Sequence, residues 1–415
     1  MVKIKSSKIF DGERFSEKTV LLVESASSKA EQEIDLNELW VLPGLIDTHA
    51  HLRDPGQIWR EDVFSGTRAA AHGGITTVFS MPNTTPAIDT EQSVEYLASR
   101  AKRSGINVRI VGAITKGREG KELAEMGRMA RAGVVGFSDD GNFLLDSSLA
   151  RHAMEYASEL GLPIISHCEE PYLKGGHMRE GWYSTLYGVD GIPPAAESIA
   201  VAREIELSYL TKAHVHIAHV STQRSVKLIR QAKKDGINVT CDVCVHHLLF
   251  RDEDLADYDT SKKINPPLPT HEDQTELYVG LEDGTVDAII SDHAPYAVHE
   301  KEVEFQTAPF GIIGFETLLD ELLMVSKRGL PIELLLSKVT SAPAKLYGIE
   351  GGIITETPLS DLTIFDPNAE WLVSDETLFS KSRNTPFFGK SLKGKILATF
   401  SRGKKVYGDP KWNVM

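Results

Sequence analysis

The sequence predicts an α/β fold, a (β/α)8 TIM-like barrel over residues 44–351 joined to a small β-sandwich made from residues 1–43 and 352–415. Three observations carry this expectation. Short apolar runs alternate with amphipathic helical segments from Gly44 to the neighbourhood of Tyr347, the pattern of repeated β-α units. About eight such runs can be counted, and no glycine-rich dinucleotide turn accompanies them, which favours a barrel over an open doubly wound sheet. The two ends of the chain carry β-branched runs with no clear helix between them.

In chain order, Thr19-Val20-Leu21-Leu22-Val23 is a β run of the amino-terminal flank. Barrel strands follow near Leu45, Thr77, Val108, Val135, Ile165, His216, Val239 and Ile289. Between the fourth and fifth, Ser147 or Ser148 caps a helix whose Leu149, Ala153, Tyr156, Ala157 and Leu160 form one apolar face. Gly161 ends that helix, and Leu162-Pro163-Ile164-Ile165-Ser166 enters a buried strand running into His167 and Cys168. Residues 225–234 repeat the plan with Val226, Ile229 and Ala232 inward, Gly236 closing the helix, and a strand starting at Ile237. The carboxyl-terminal flank holds Asp361-Leu362-Thr363-Ile364-Phe365 and Ile396-Leu397-Ala398-Thr399-Phe400. Neither terminal β segment can stand alone, so the two are expected to pair with each other.

Composition narrows the function classes. A chain of 415 residues with 41% hydrophobic and 25% charged residues is an ordinary globular protein. Its net charge of −14 leaves no basic excess to release counterions, so nucleic acid is not expected as a partner. Three cysteines, Cys168, Cys241 and Cys244, are too few for a disulfide framework and fit the reducing cytoplasm. No apolar run follows Lys3 and Lys5, so no secretory signal is expected. The longest uncharged stretch, 69–88, carries Gly73, Gly74, Pro82, Asn83 and Pro86, a set no lipid-exposed helix tolerates. No membrane partner is expected.

In a barrel the active site lies at the carboxyl ends of the strands, so the residues just past each strand are informative. His49 and His51 end the first; residues two apart on a strand face the same way, so both imidazoles can meet one ion. The fourth ends in Asp139 and Asp140, the fifth in His167, the sixth in His219 and the eighth in Asp292. Four imidazoles with two or three carboxylates on one rim match zinc or a similar borderline metal with an open coordination position. Adjacent residues on an extended segment point to opposite sides, so one of Asp139 and Asp140 faces the ion.

Pro43-Gly44-Leu45-Ile46-Asp47-Thr48-His49-Ala50-His51-Leu52-Arg53-Asp54-Pro55-Gly56, Met81-Pro82-Asn83-Thr84, Asp139-Asp140-Gly141, His167-Cys168-Glu169, His219-Val220-Ser221-Thr222, Asn265-Pro266-Pro267-Leu268 and Asp292-His293-Ala294-Pro295 together resemble the metal-dependent dihydroorotases of the amidohydrolase superfamily. The resemblance spans nearly the whole chain. It implies a cytoplasmic enzyme of pyrimidine (UMP) biosynthesis that reversibly closes N-carbamoyl-L-aspartate to L-dihydroorotate with loss of water. One or two Zn2+ ions are implied, with His49 and His51 on the first, His167 and His219 on the second, and Asp140 as the bridge where many related hydrolases use a carbamylated lysine. Asp292 is implied as the remaining metal ligand and catalytic base. A carboxylate near metal-activated water can take its proton and return it to the departing nitrogen.

Substrate contacts are expected from His51, Arg53, Asn83, Asn265, Tyr296, Phe310 and Gly311. Arg53 follows the histidine pair by two, and a guanidinium grips a carboxylate through two parallel hydrogen bonds. Tyr296 departs from the family, which usually has histidine there to help bind that carboxylate; tyrosine offers a hydrogen bond without the charge. Pro269 stands where arginine often follows Asn-Pro-Pro-Leu, a loop variation. A hydantoinase-like or allantoinase-like cyclic amide hydrolase and a catalytically silent scaffold for aspartate transcarbamoylase are the alternatives; the full ligand set opposes the scaffold. A serine hydrolase is disfavoured because no Gly-x-Ser-x-Gly elbow is present. The resemblance allows a homodimer and an association with aspartate transcarbamoylase, neither of which the residues specify.

Other features read as structural. Cys241-x-x-Cys244 lies on a buried strand with no second pair, which marks core cysteines. His246 and His247 are expected to support the fold. The charged run from His299 through Glu302 and Glu304 is expected as a solvated loop that closes over substrate.

Overall fold

A computed structural model describes residues 2–16, 21–23, 32–355 and 361–408. Leu45–Ala50, Ile75–Ser80 and Asn107–Ile110 pair in parallel in that order. Ile164–Ser166, Val215–Ile217, Val239–Cys244 and Ala288–Ile290 form a second parallel set. Two joints close the ring: Phe137 bridges both Gly112 and Ile164, and His293 bridges Ala50. Apart from Asn107–Ile110 the strands are buried on both faces almost throughout, as a barrel wrapped by helices requires.

The strand expected near Val135 is reduced to the bridges of Phe137. Gly133 has φ +96°, outside the strand region, so extended backbone begins only after it. At the other end Asp139 is pulled toward the Ile114 and Thr115 amides, which stops the run. A short ladder survives, with the amides of Val135 and Ser138 donating to Ile110 and Gly112.

The helix Ser147–Glu159 is capped by Asp146 rather than by either serine, its carboxylate accepting from the amides of Ser148 and Leu149. Its buried face is Ala150, Ala153, Met154 and Ala157, rotated from the predicted one. Small residues let the helix lie close to its neighbours, while Tyr156 is 39% exposed and reaches over Gly127, where a Cβ would sit 2.2 Å from its hydroxyl. The helix Gln223–Lys234 starts earlier than expected because Thr222 caps it, and it buries Val226, Ile229 and Ala232 as the pattern predicted.

Both termini contribute to one six-stranded sheet ordered Lys404–Gly408, Ser391–Ser401, Leu362–Leu372, Trp40–Pro43, Lys8–Phe10 and Phe15–Ser16. Val2–Lys5 lies between Leu21–Val23 and Gln32–Asp35 in a three-stranded sheet. Thr19 and Val20 of the predicted run lie outside the described residues. Ile4, Ile9, Val41, Ile364, Ala398 and Phe400 pack together as the core of this part. It meets the barrel at Gly74, at φ +81°, whose carbonyl accepts from the Thr363 hydroxyl at 2.7 Å; a Cβ there would approach the Thr363 methyl to 2.7 Å. Among the described residues, no helix is long and apolar enough to cross a membrane.

Candidate metal centre

The first barrel strand delivers His49 and His51 to one face, as the i, i+2 spacing predicts, and the ends of three others bring Asp140, His167 and His219 to meet them. The ligand atoms of His49, His51 and Asp140 lie within 4.8 Å of one another, and so do those of Asp140, His167 and His219. Asp140 therefore belongs to both groups. Its Oδ1 is 3.3 Å from His49 Nε2, 3.6 Å from His219 Nε2 and 3.8 Å from His167 Nδ1, and its Oδ2 is 3.7 Å from His51 Nε2. Asp292 Oδ1 stands 3.1 Å from His51 Nε2 and 3.9 Å from His49 Nε2.

The choice between the two aspartates is made by their neighbours. Asp139 turns away: its Oδ1 accepts from the Ile114 and Thr115 amides at 2.9 and 3.0 Å, and its Oδ2 takes the Thr115 hydroxyl. Asp140 is left facing the histidines.

The donor set fits a divalent metal ion. Among the described residues neither His49 Nε2 nor Asp140 Oδ1, both buried, has a hydrogen-bond partner, a costly state that a shared cation relieves. Imidazole nitrogens mixed with carboxylate oxygens suit borderline divalent ions. The electrostatics agree. Burial opposes charge on His49, yet the carboxylates of Asp140 and Asp292 outweigh it and raise its pKa to about 10. Burial pushes Asp292 upward, but the His51 hydrogen bond and the charges of His49 and His51 bring it down to about 2. Asp140 is held well below the usual range, the His49 charge overcoming its burial. These groups together pull positive charge into one place.

The surrounding side chains fix the ligands. Asn83 Oδ1 lies 2.8 Å from His51 Nδ1, which turns Nε2 toward the centre, and its amide nitrogen is 3.4 Å from Asp140 Oδ2. His219, Asp292 and Arg53 have φ of +39°, +46° and +57°, a strained region for side-chain-bearing residues. The strain is held from the strand interiors. Asp242 Oδ1 accepts the His219 amide at 2.5 Å while its Oδ2 meets His216 Nε2 at 2.9 Å. Asp47 accepts the Ser291 amide and hydroxyl, and the Ser291 oxygen accepts the His293 amide, which brackets Asp292.

A cavity of about 300 Å³ opens above the centre, lined by His51, Arg53, Asn83, Asn265, Asp292, Tyr296, Phe310 and Gly311 among others. Every expected substrate contact therefore borders it. Arg53 is 5% exposed, and its side chain donates from Nε to the Pro295 carbonyl at 3.3 Å. Among the described residues no carboxylate pairs with it. Its guanidinium lies 4.9 Å from the Tyr296 ring centre, and Arg60 lies 4.4 Å from the same ring. Asn265 donates to Glu169 Oε2 at 3.2 Å, and Glu169 faces His167 Nε2 at 3.3 Å.

Glu169 was absent from the expected site, although its place two residues after His167 is the same spacing that marks His49 and His51. Asp242 carried no signal, because it acts on the backbone amide of His219, distant in sequence. The segment from His299 is only partly the expected loop. Val298–Lys301 is a short helix, Glu300 accepts from Arg60 Nε at 2.9 and 3.0 Å, and Lys301 is buried; Glu302 and Glu304 are exposed. Cys241 and Cys244 are buried free thiols. His246 and His247 bond Glu321 Oε2 and the Pro266 carbonyl, each at 2.9 Å, which is structural support.

Residues 39–225 match the family described as dihydro-orotase-like. A dihydroorotase of Acetivibrio thermocellus is 47% identical over 370 residues, 88% of this chain and 87% of the relative. One from Geobacter sp. strain M21 is 46% identical over 385 residues, covering 92% and 91%. Among solved structures, the L-hydantoinase (dihydropyrimidinase) of Arthrobacter aurescens superposes with a TM-score of 0.83 at 24% identity, covering 98% of this chain and 96% of its own. The dihydropyrimidinase of Brevibacillus agri gives 0.82 at 22% identity, covering 98% and 95%. At that identity the likeness is one of fold alone.

Proposed function

The chain belongs to the dihydroorotase family, and on that premise we propose that it is a zinc-dependent dihydroorotase, interconverting N-carbamoyl-L-aspartate and L-dihydroorotate in pyrimidine biosynthesis. The observation that carries the reading is the buried Arg53 guanidinium, without a carboxylate partner among the described residues, on the wall of the cavity above the histidine and aspartate cluster. A cyclic amide that carries a carboxylate satisfies both features at once.

His49, His51 and Asp140 would hold one ion and Asp140, His167 and His219 a second, with Asp292 beside the first. When bound, a divalent ion supplies Lewis acidity to a water molecule and to the amide carbonyl. Asp292 would take a proton from the attacking water and hand it to the leaving ring nitrogen, and in the ring-closing direction it would perform the reverse transfers. Arg53 grips the substrate carboxylate, and Asn83 and Asn265 orient the ring edges while holding His51 and Glu169. Phe310, Gly311 and Tyr296 enclose the ring. The reading divides the chain into a catalytic barrel over 44–351 and a supporting β-sandwich from 1–43 and 352–415. A cytoplasmic location rests on the three buried free cysteines. The homodimer and the association with aspartate transcarbamoylase rest on the resemblance alone.

The test is a panel of ring substrates, L-dihydroorotate, hydantoin and allantoin, assayed on protein of known metal content. Opening of dihydroorotate with kcat/KM well above the other two is the expected result. A protein that opens hydantoin or allantoin and leaves dihydroorotate intact would refute the assignment.

A further inference from the structure

Lys263 and Lys301 are 2% and 6% exposed, and neither has a carboxylate partner among the described residues. Their ammonium groups are spent on backbone carbonyls of a single segment. Lys263 Nζ donates to Phe305, Gln306 and Ala308 at 2.8, 2.9 and 2.7 Å, and Lys301 Nζ donates to Pro309 and Gly311 at 2.8 and 3.1 Å. The Lys263 carbonyl also accepts the Gly311 amide at 2.8 Å. Residues 305–311 contain no regular helix or strand, so these ammonium groups hold carbonyls that secondary structure leaves free.

The same segment supplies Pro309, Phe310 and Gly311 to the cavity wall. Lys263 Nζ lies 4.7 Å from the Phe310 ring centre, and Lys301 Nζ lies 6.0 Å from that of Tyr296. Asn384 ties the arrangement to the end of the eighth strand, donating to the Ala294 and Gly311 carbonyls at 3.0 Å each. An ammonium is a strong donor, and neutral apolar side chains at both positions would leave the Phe305, Gln306, Ala308 and Pro309 carbonyls without these donors, Gly311 keeping that of Asn384.

Resting on the dihydroorotase reading, we propose that Lys263 and Lys301 are positioning residues that clamp residues 305–311 against the substrate cavity, so that affinity for the anionic ring depends on both ammonium groups. Neither lysine touches the metal centre. The groups facing them are His177, 3.3 Å from Lys263 Nζ, Asp259 and Lys263 acting on Lys301, and Glu302, Asp375, Arg383 and Lys390 around the outer cavity that Lys301 also borders. Burial lowers Lys263 to about 8, and burial with the like charge of Lys263 lowers Lys301 to about 7, both from 10.5. The charged clamp is complete below those values and is lost above them. For global stability the sign is opposite: an unfolded chain binds these protons more tightly, so their contribution favours folding as pH rises from 7 toward 10.5.

The experiment follows KM for L-dihydroorotate from pH 6.5 to 9. Wild type is expected to show KM rising about fivefold or more, with a smaller change in kcat. Lys263→Met and Lys301→Met are expected to start at a raised KM that responds less to pH. Their metal content should be unchanged. A merely structural role would leave the pH profile of KM intact. A flat wild-type profile, or variants with wild-type KM throughout, would overturn the clamp. Failure of wild type to open dihydroorotate would instead refute the functional reading. Hydrogen exchange at Thr307, Ala308 and Gly311 then decides the clamp: protection lower at pH 9 and lower in both variants supports it, and unchanged protection overturns it.

Discussion

Asp292 stands beside the histidine pair with its backbone strained, its carboxylate 3.1 Å from His51 and its pKa held near 2, so it is ionised and aimed at the centre. Replacing it with asparagine keeps its shape and removes its capacity as a base. Asp292→Asn is expected to retain most of the metal and lose roughly 10²- to 10⁴-fold in kcat; a wild-type rate would exclude it as the proton carrier. Arg53→Met addresses recognition instead. Loss of a charged pair to the substrate carboxylate is expected to cost about 2–3 kcal/mol in kcat/KM, mostly through KM. An unchanged KM for dihydroorotate would show that the carboxylate is held elsewhere. At this scale the sequence was informative wherever spacing alone decides orientation, as for His49 and His51. Spacing left Asp139 against Asp140 open, and only the family resemblance favoured Asp140, because the deciding contacts come from the amides of Ile114 and Thr115 some two dozen residues earlier.

The elements that carry these residues were legible where periodicity is strong. Seven strands lie where apolar runs placed them, and the helix Gln223–Lys234 buries the expected face. The fourth stave and the cap at Asp146 were misplaced, since both depend on which of several adjacent residues the local backbone selects. Strand Val239–Cys244 illustrates what no pattern reveals: its Asp242 points inward and fixes the neighbouring strand's His219 through a backbone hydrogen bond. Asp242→Ala frees that strained amide and strands His216. The variant is expected to bind metal roughly tenfold or more weakly, measured by chelator competition; wild-type affinity would reduce Asp242 to packing.

For the whole molecule, the barrel and terminal sheets were predictable because each needs only a count of alternating segments. The coupling between metal and stability follows from the charges within it. In metal-free protein His49 is raised from 6.5 to about 10, so its contribution is full below pH 6.5 and lost as pH rises toward 10. Asp292, lowered from 3.8 to about 2, contributes above pH 3.8 and loses that contribution as pH falls toward 2. Metal must displace the His49 proton to bind. The gap in Tm between zinc-loaded and stripped protein is therefore expected to widen from about pH 6 to about pH 8; a gap independent of pH would contradict this.

The central claim is that the cluster bridged by Asp140 is the centre that opens L-dihydroorotate, and its most direct test is turnover of that substrate as a function of zinc per chain in chelator-stripped protein. No turnover in the stripped protein and recovery in step with bound zinc is the predicted result. Undiminished turnover without metal, or a fully loaded protein that leaves dihydroorotate closed, would contradict it.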